Sequence, residues 1–275
     1  MSSLKDRVVL ITGASRGIGR QIALTAAEQG AAVVIAAKSE TAHPKLPGTI
    51  HSVAQEIRER GGTALPLRLD VRDDASITAV MRAIELEFGR LDGLVNNAGA
   101  IRLEPAAELE MKRFDLIHQI NTRAVLACTK AALHLLEESD QAHVLSLAPP
   151  LNMSPHWLGR YAPYTVTKYG MTLLSLGLAE EFRNRPIAVN TLWPRTTIAT
   201  AAVEFEVGAA YLAQSRSPQI MADAACRILS TPPRDLTGQT LVDEPYLRSC
   251  GMTDFESYRH DPAAGDLALD LFIDA

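Results

Sequence analysis

Short runs of β-branched and aliphatic residues alternate along the chain with longer stretches whose apolar positions recur every three or four residues. The runs fall at residues 7–12, 32–37, 64–69, 93–96, 143–147 and 188–192. They are short, apolar and bounded by turn-forming residues, as buried strands are. Between them, residues 18–29, 50–60, 75–88, 111–137 and 164–184 carry the helical period. Strand and helix in alternation build βαβ units around a parallel sheet, so the pattern predicts a doubly wound α/β fold with helices on both faces. A seventh strand is expected at 239–243, after the turn-rich run that starts at Pro232.

Two stretches interrupt the alternation. Residues 39–49 contain Pro44, Pro47 and Gly48, and residues 194–218 are irregular around a small helix-like segment of Ala, Glu and Val. Long connections in a compact α/β protein are often functional. With no internal repeat, low-complexity tract or linker, residues 1–275 are expected to form one domain. Its elaborations are a substrate loop at about 195–218 and a C-terminal extension at about 244–275.

Composition narrows the class. A hydrophobic share of 47% with 21% charged residues is that of a globular protein rather than a disordered or fibrous one. The net charge of −5 gives no reason to expect nucleic acid or an anionic membrane as partner. Cys128, Cys226 and Cys250 are far apart and form no C-x-x-C pair, which argues against a disulfide framework or a thiolate zinc site. The seven histidines are scattered without ligand spacing, so no metal is expected. The first strand begins too early to leave room for a secretory signal, and no apolar run is long enough for membrane insertion; a cytoplasmic protein is expected.

The chemistry begins where the first strand runs into Thr12-Gly13-Ala14-Ser15-Arg16-Gly17-Ile18-Gly19 and then a helix. Glycines allow a tight turn and close approach of backbone to a pyrophosphate, and the helix start offers free N–H groups. The second strand ends at Ala36-Ala37-Lys38, with no acid where an NAD-preferring site holds the ribose. Arg16 and Lys38 complement a 2′-phosphate instead, so NADP(H) is expected in preference to NAD(H). Asp70, ending the third strand, is either an adenine contact or a turn residue. Further on, Tyr164 and Lys168 lie one helical turn apart, where an ammonium favours the phenolate and lowers the phenol pKa.

Together, T-G-x-x-x-G-x-G (Thr12 to Gly19), N-N-A-G (Asn96 to Gly99), Asn121 and Y-x-x-x-K (Tyr164 to Lys168) resemble the short-chain dehydrogenase/reductase family. The chain looks most like its hydroxysteroid-dehydrogenase-like subgroup, through Ala36-Ala37-Lys38, His43-Pro44-Lys45-Leu46, Ala148-Pro149-Pro150-Leu151-Asn152 and Leu192-Trp193-Pro194. The resemblance implies a Rossmann-type sheet and an oxidoreductase. Tyr164 would exchange a proton with the substrate oxygen, Lys168 would lower its pKa and hold the nicotinamide ribose, and Asn121 would support a water-linked relay. Gly13, Ser15, Arg16, Gly17, Ile18 and Gly19 would line the phosphates and adenosine, Asp70 and Val71 the adenine, and Asn97, Ala98 and Gly99 the central ribose. Pro194, Thr197 and Ile198, with Thr200, would close over the nicotinamide, although Arg195 stands where the family has a glycine.

One departure bears on mechanism. The family places a serine at the end of the fifth strand to hydrogen-bond the substrate carbonyl, and this chain has Ala148. Ser146, two residues back on the same strand face, lies about 6.6 Å further back along the strand and is too deep, which leaves Ser154 or a bound water as the candidate substitutes. Leu151, Met153, Trp157, Trp193 and Phe205 fall near the expected site mouth, as either an apolar substrate surface or core. The expected activity is interconversion of an apolar alcohol with its aldehyde or ketone. The alternatives are a weak or silent NADPH-binding protein, suggested by Ala148, and a lyase or epimerase that recycles its cofactor. Helices at 111–137 and 164–184 are more apolar than a monomer surface tolerates, so a homodimer or homotetramer is expected.

Overall fold

The strands are short and apolar on both sides because they are covered on both sides. In the computed structural model, which describes residues 3–42, 46, 48–201 and 203–274, seven strands form one all-parallel sheet. His43, Pro44, Lys45 and Pro47 of the expected insertion, and Ala275, lie outside the described residues. The strands are β1 (Val8–Thr12), β2 (Ala32–Ala37), β3 (Thr63–Arg68), β4 (Gly93–Asn96), β5 (Ala142–Ser146), β6 (Ile187–Trp193) and β7 (Thr240–Val242). Their order is β3-β2-β1-β4-β5-β6-β7, with registers such as Leu10 opposite Val34 and Val95 opposite Leu145.

Side chains alternate across this sheet with the period of two that a strand requires. Val9, Ile11, Val33 and Ile35 pack into one core with α1 (Gly17–Glu28), α2 (Ile50–Glu59) and α9 (Gln219–Ser230). Val8, Leu10, Val34 and Ala36 pack into the other with α3 (Asp74–Phe88), α5 (Ala124–Leu136) and α7 (Ala162–Glu181). The sequence reverses direction across the sheet between β1 and β4, and ligands of open α/β sheets bind at the carboxyl ends of the strands beside that reversal.

The expected strands agree with these spans to within one residue and the expected helices to within three. Two differences are physical. The continuous helix expected at 111–137 is broken into α4 (Met111–His118) and α5 by a π-helical turn, Gln119–Arg123. Such a turn inserts a single residue into the helix, which the spacing of apolar residues does not register. Helix α9 is absent from the expected set although it carries the period: Gln219, Asp223, Arg227 and Ser230 make a narrow, partly exposed polar stripe, and Ile220, Met221, Ala222, Ala224, Ala225, Cys226, Ile228 and Leu229 are all buried. In the irregular 194–218 stretch the small helical segment is a π turn, Val203–Gly208, followed by α8 (Ala210–Ala213).

Candidate active site

β1 ends at Thr12, and the chain turns through Gly13 (φ +68°) and Gly17 (φ +58°) into α1. A Cβ on Gly13 would stand 2.8 Å from Ala98 Cα, and one on Gly19 2.3 Å from Asn97 Nδ2. The absence of side chains is therefore what lets the turn lie against the end of β4. Asn97 secures that contact, its Nδ2 donating to Thr12 O at 2.7 Å and Gly13 O at 3.2 Å. Thr12 Oγ1 accepts in turn from the Asn97 and Ala98 N–H groups. The N-cap of α1, Arg16, has extended backbone and supplies no side-chain cap. The first-turn N–H groups of Gly17, Ile18 and Gly19, with buried Ser15 beside them, are donors that suit a pyrophosphate. Across the turn, Gly17 faces Thr200, whose Cγ2 would lie 3.5 Å from a Cβ there.

At the adenosine end, the Arg16 guanidinium donates to Ser39 Oγ at 3.2 Å and to Gly48 O at 3.3 Å. Arg16 thus ties Ser39 and Gly48, near the two ends of the 39–49 stretch, to the glycine turn. Lys38, just beyond β2, is exposed with its Nζ 3.9 Å from Asp70 Oδ2. Asp70 also accepts from the Arg72 backbone and from its guanidinium, at 2.6 Å for the shortest bond, and this pairing holds its carboxyl down at about 2. Val71 is buried against the second core. Arg72 was not among the residues singled out from sequence; its position two residues after the strand-end Asp70 is the signal that could have found it.

Tyr164 and Lys168 sit on the first turns of α7, 2% and 6% exposed. Lys168 Nζ donates to Leu147 O at 2.6 Å and lies 4.8 Å from the centre of the Trp193 ring. Burial pushes the Lys168 ammonium down to about 7, against the opposing pull of Asp270, and burial also raises the Tyr164 phenol above its usual range. This corrects the expectation that the neighbouring ammonium would lower the phenol: in the closed site desolvation dominates, and both groups are driven toward their neutral forms. Asn121, 1% exposed, occupies the π turn. Its Oδ1 accepts from Ala100 N–H, and its Nδ2 donates to Ala100 O and Thr167 Oγ1. The side chain is thereby committed to Ala100 and Thr167.

Ala148 is completely buried against Val125 and Met171. Ser146 does not replace the missing hydroxyl, because it is fully buried with its Oγ 3.1 Å from that of Ser175. Ser154 starts α6 (Pro155–Arg160) without capping it through its hydroxyl. Pro194 follows β6, and Thr197 and Ile198 are buried beyond it. Thr197 Oγ1 is 2.8 Å from Ser215 Oγ, and its N–H donates to Ala268 O. Of the apolar residues expected at the mouth, Trp157 and Trp193 join Tyr164 in one cluster, whereas Leu151, Met153 and Phe205 are exposed.

The largest omission from the sequence reading is the docking of the C-terminal extension, which returns to Tyr164 and Lys168. Leu269 bridges to Thr196, and the Asp270 N–H donates to Arg195 O. Phe272 is 3% exposed and stacks on Tyr164, ring centres 6.3 Å apart. Asp270 is the charged residue that acts on both Tyr164 and Lys168, and burial pushes its own carboxyl up to about 7. The alternation of Leu267, Leu269, Leu271 and Ile273 is the available signal of an extended, docked segment.

A family model for short chain dehydrogenases matches residues 7–207. The hydroxysteroid dehydrogenase-like protein 2 of Xenopus tropicalis is 48% identical over 266 residues, which cover 97% of this chain and 63% of that protein. The chain therefore spans somewhat less than two thirds of the length of such curated relatives. A crystal structure described as a dehydrogenase from Xanthomonas campestris superposes with a TM-score of 0.96 at 45% identity, covering 99% of this chain and 100% of that one. One described as a short chain dehydrogenase of Shigella flexneri, complexed with NADP, gives a TM-score of 0.78 at 26% identity, covering 89% of this chain and 99% of that one. Since the family model spans most of the chain and these relatives match its fold and its sequence nearly end to end, this protein belongs to the short-chain dehydrogenase family.

Proposed function

We propose that the protein is an NADP(H)-dependent oxidoreductase that interconverts an apolar alcohol and its aldehyde or ketone, with Tyr164 as general acid and base. The observation that carries the reading is the placement of Tyr164, Lys168 and a glycine-turn helix without a side-chain cap at the carboxyl ends of the strands, beside the strand-order reversal. The α1 N-terminus, with Gly13, Ser15, Gly17, Ile18 and Gly19, would hold the pyrophosphate. Arg16 and Lys38 would answer a 2′-phosphate, with Asp70 and Val71 at the adenine. Ala98 and Gly99 would pass the central ribose over a floor fixed by Asn97, and Pro194, Thr197 and Ile198 would cover the nicotinamide. The NADP complex of the Shigella flexneri protein supports this choice of cofactor.

When bound, the cofactor supplies or accepts the hydride. This chain's part is to position the substrate oxygen and move a proton at Tyr164 Oη. Burial favours the protonated phenol, the form that donates a proton to a carbonyl oxygen in reduction. Lys168 is held by Leu147 O over the Trp193 face, where it would meet the nicotinamide ribose. Trp157, Trp193 and Tyr169 give the surroundings an apolar, aromatic character suited to an apolar substrate. The test is NADPH consumption, with NADH for comparison, across medium-chain and terpenoid aldehydes and ketones. Turnover with NADPH favoured is expected; tight NADPH binding without turnover of any of them would overturn the reading.

One observation favours a second reading. The position of the family hydroxyl is occupied by Ala148 among Val125 and Met171. A preorganised donor of this kind is worth about 10²–10³ in rate, so a slow or silent NADPH-binding protein is the competing proposal. In either case we propose a homodimer or homotetramer. Leu116, Leu126, Val166 and Leu173, on α4, α5 and α7, are 37–59% exposed and form apolar ground for a second copy. We further propose a cytoplasmic location; among the described residues no helix is long and apolar enough to cross a membrane.

A further inference from the structure

We propose that residues 268–274 form the outer wall of the substrate site and that Phe272 on this segment sets how bulky a carbonyl compound can reach Tyr164. The proposal rests on the carbonyl reductase reading above and adds to it the residue that selects among substrates. Tyr164 must present its hydroxyl to the substrate oxygen, so whatever lies against its ring shares space with the substrate. That neighbour is Phe272, stacked at 21° with ring centres 6.3 Å apart. A gap of that size between ring centres leaves no room for a third ring, so a cyclic substrate and the Phe272 side chain compete for one place.

Phe272 is held there by the architecture. Its ring lies 5.7 Å from Trp157, 5.2 Å from Tyr169 and 6.1 Å from Trp193, which belong to α6, α7 and β6. Its backbone stands at φ +69°, a left-handed conformation that is strained for a bulky side chain. Strain of this kind persists when the surroundings over-determine it, and it concentrates at ligand sites. The surroundings here are specific. On the inner side, Thr197 N–H donates to Ala268 O, Asp270 N–H donates to Arg195 O, and Trp193 Nε1 donates to Leu271 O at 2.9 Å. On the outer side, Asp274 accepts from Asn152 Nδ2 at 2.7 Å and from Trp157 Nε1 at 2.8 Å. The inner bonds tie the wall to β6 and the loop that follows it, while the outer pair is exposed.

The chain has two tryptophans, and the indole N–H of each holds this segment, so intrinsic fluorescence reports on it directly. Ketone binding is titrated by that signal on enzyme saturated with NADP⁺, a pairing that cannot turn over. The probes are acetone and acetophenone, which differ by a phenyl ring. Phe272→Gly removes the ring and accepts φ +69° freely, so the backbone of the wall is retained. The acetophenone-to-acetone affinity ratio is expected to rise about tenfold or more in Phe272→Gly, the equivalent of burying a phenyl group in the place vacated. Phe272→Leu, which keeps apolar bulk, is expected to give an intermediate rise and stands in if the glycine variant does not fold. An unchanged ratio in a folded variant that binds NADP⁺ would overturn the proposal, as would failure of both ketones to bind any form. A shifted ratio in a protein that reduces no carbonyl would instead overturn the reductase reading and leave the role of Phe272 in place.

Discussion

Replacing Gly19 with alanine isolates the contact on which the cofactor cradle rests. In most helices this exchange stabilises by about 1 kcal/mol, because glycine is the poorer helix former. Here the added methyl would stand 2.3 Å from Asn97 Nδ2 and 2.9 Å from Gly13 O. Asn97 cannot yield freely, since that same nitrogen donates to Thr12 O and Gly13 O. Turning it away forfeits two hydrogen bonds at about 1 kcal/mol each, and forcing the turn off β4 adds overpacking of about 1–3 kcal/mol. Set against the gain in helix propensity, the balance is a loss of about 2–4 kcal/mol, which in a domain of this size lowers Tm by roughly 4–16 °C. The assay is reversible thermal or urea unfolding beside Gly159→Ala, an exposed helical glycine whose added methyl would meet nothing within 4 Å. Gly159→Ala is expected to be neutral or stabilising. If Gly19→Ala behaves the same way and binds NADPH as the wild type does, the reasoning about the cradle is refuted.

Ala148→Ser restores a hydroxyl where the family has one, and kcat is expected to rise by up to about 10²–10³; an unchanged kcat in a folded variant would show that the missing donor does not limit the rate. His143 is fully buried, its Nε2 2.8 Å from Thr231 O and its Nδ1 without a hydrogen-bond partner among the described residues, so burial lowers its pKa to about 4. With an unfolded value near 6.5, the unfolded chain takes up a proton first as pH falls, and about 3 kcal/mol of stability is lost between roughly pH 6.5 and 4. His143→Gln should flatten that part of the stability curve, and an unaltered slope would assign the acid sensitivity elsewhere. Leu173→Lys places a charge on the exposed apolar face of α7, and sedimentation is expected to show monomers where the wild type associates; a wild type that is already monomeric at micromolar concentration would contradict the proposed assembly.

What the chain disclosed about itself follows from which forces leave a periodic trace. Val9, Ile11, Val33 and Ile35 face one helix layer while Val8, Leu10 and Val34 face the other, so both strand length and burial are written in uninterrupted apolar runs. The glycine turn was legible because Gly13 and Gly19 answer a steric demand that admits no other residue. The π turn at Asn121 was not, because a one-residue insertion leaves the apolar spacing almost unaltered, and the side-chain bonds to Ala100 and Thr167 that accompany it join residues distant in sequence. The depressed Lys168 and raised Tyr164 were beyond sequence reasoning for a related reason. Their burial comes from Phe272 and Trp193, which lie far along the chain and approach only in the folded state. The role of Arg16 was legible only in part: its charge suggested a phosphate contact, whereas its bonds also tie Ser39 and Gly48 to the glycine turn.

The central claim is that Tyr164 moves the proton at the substrate oxygen, and the most direct measurement is carbonyl reduction by Tyr164→Phe beside a NADPH-binding titration on the same sample. The phenol is nearly inaccessible, and its hydroxyl makes no bond that the fold depends on among the described residues, so the variant should fold and bind NADPH as the wild type does. The account predicts a fall in kcat of at least about 10²-fold, the usual worth of a positioned proton donor, with cofactor affinity unchanged. A Tyr164→Phe protein that reduces the same carbonyl at the wild-type rate would contradict it.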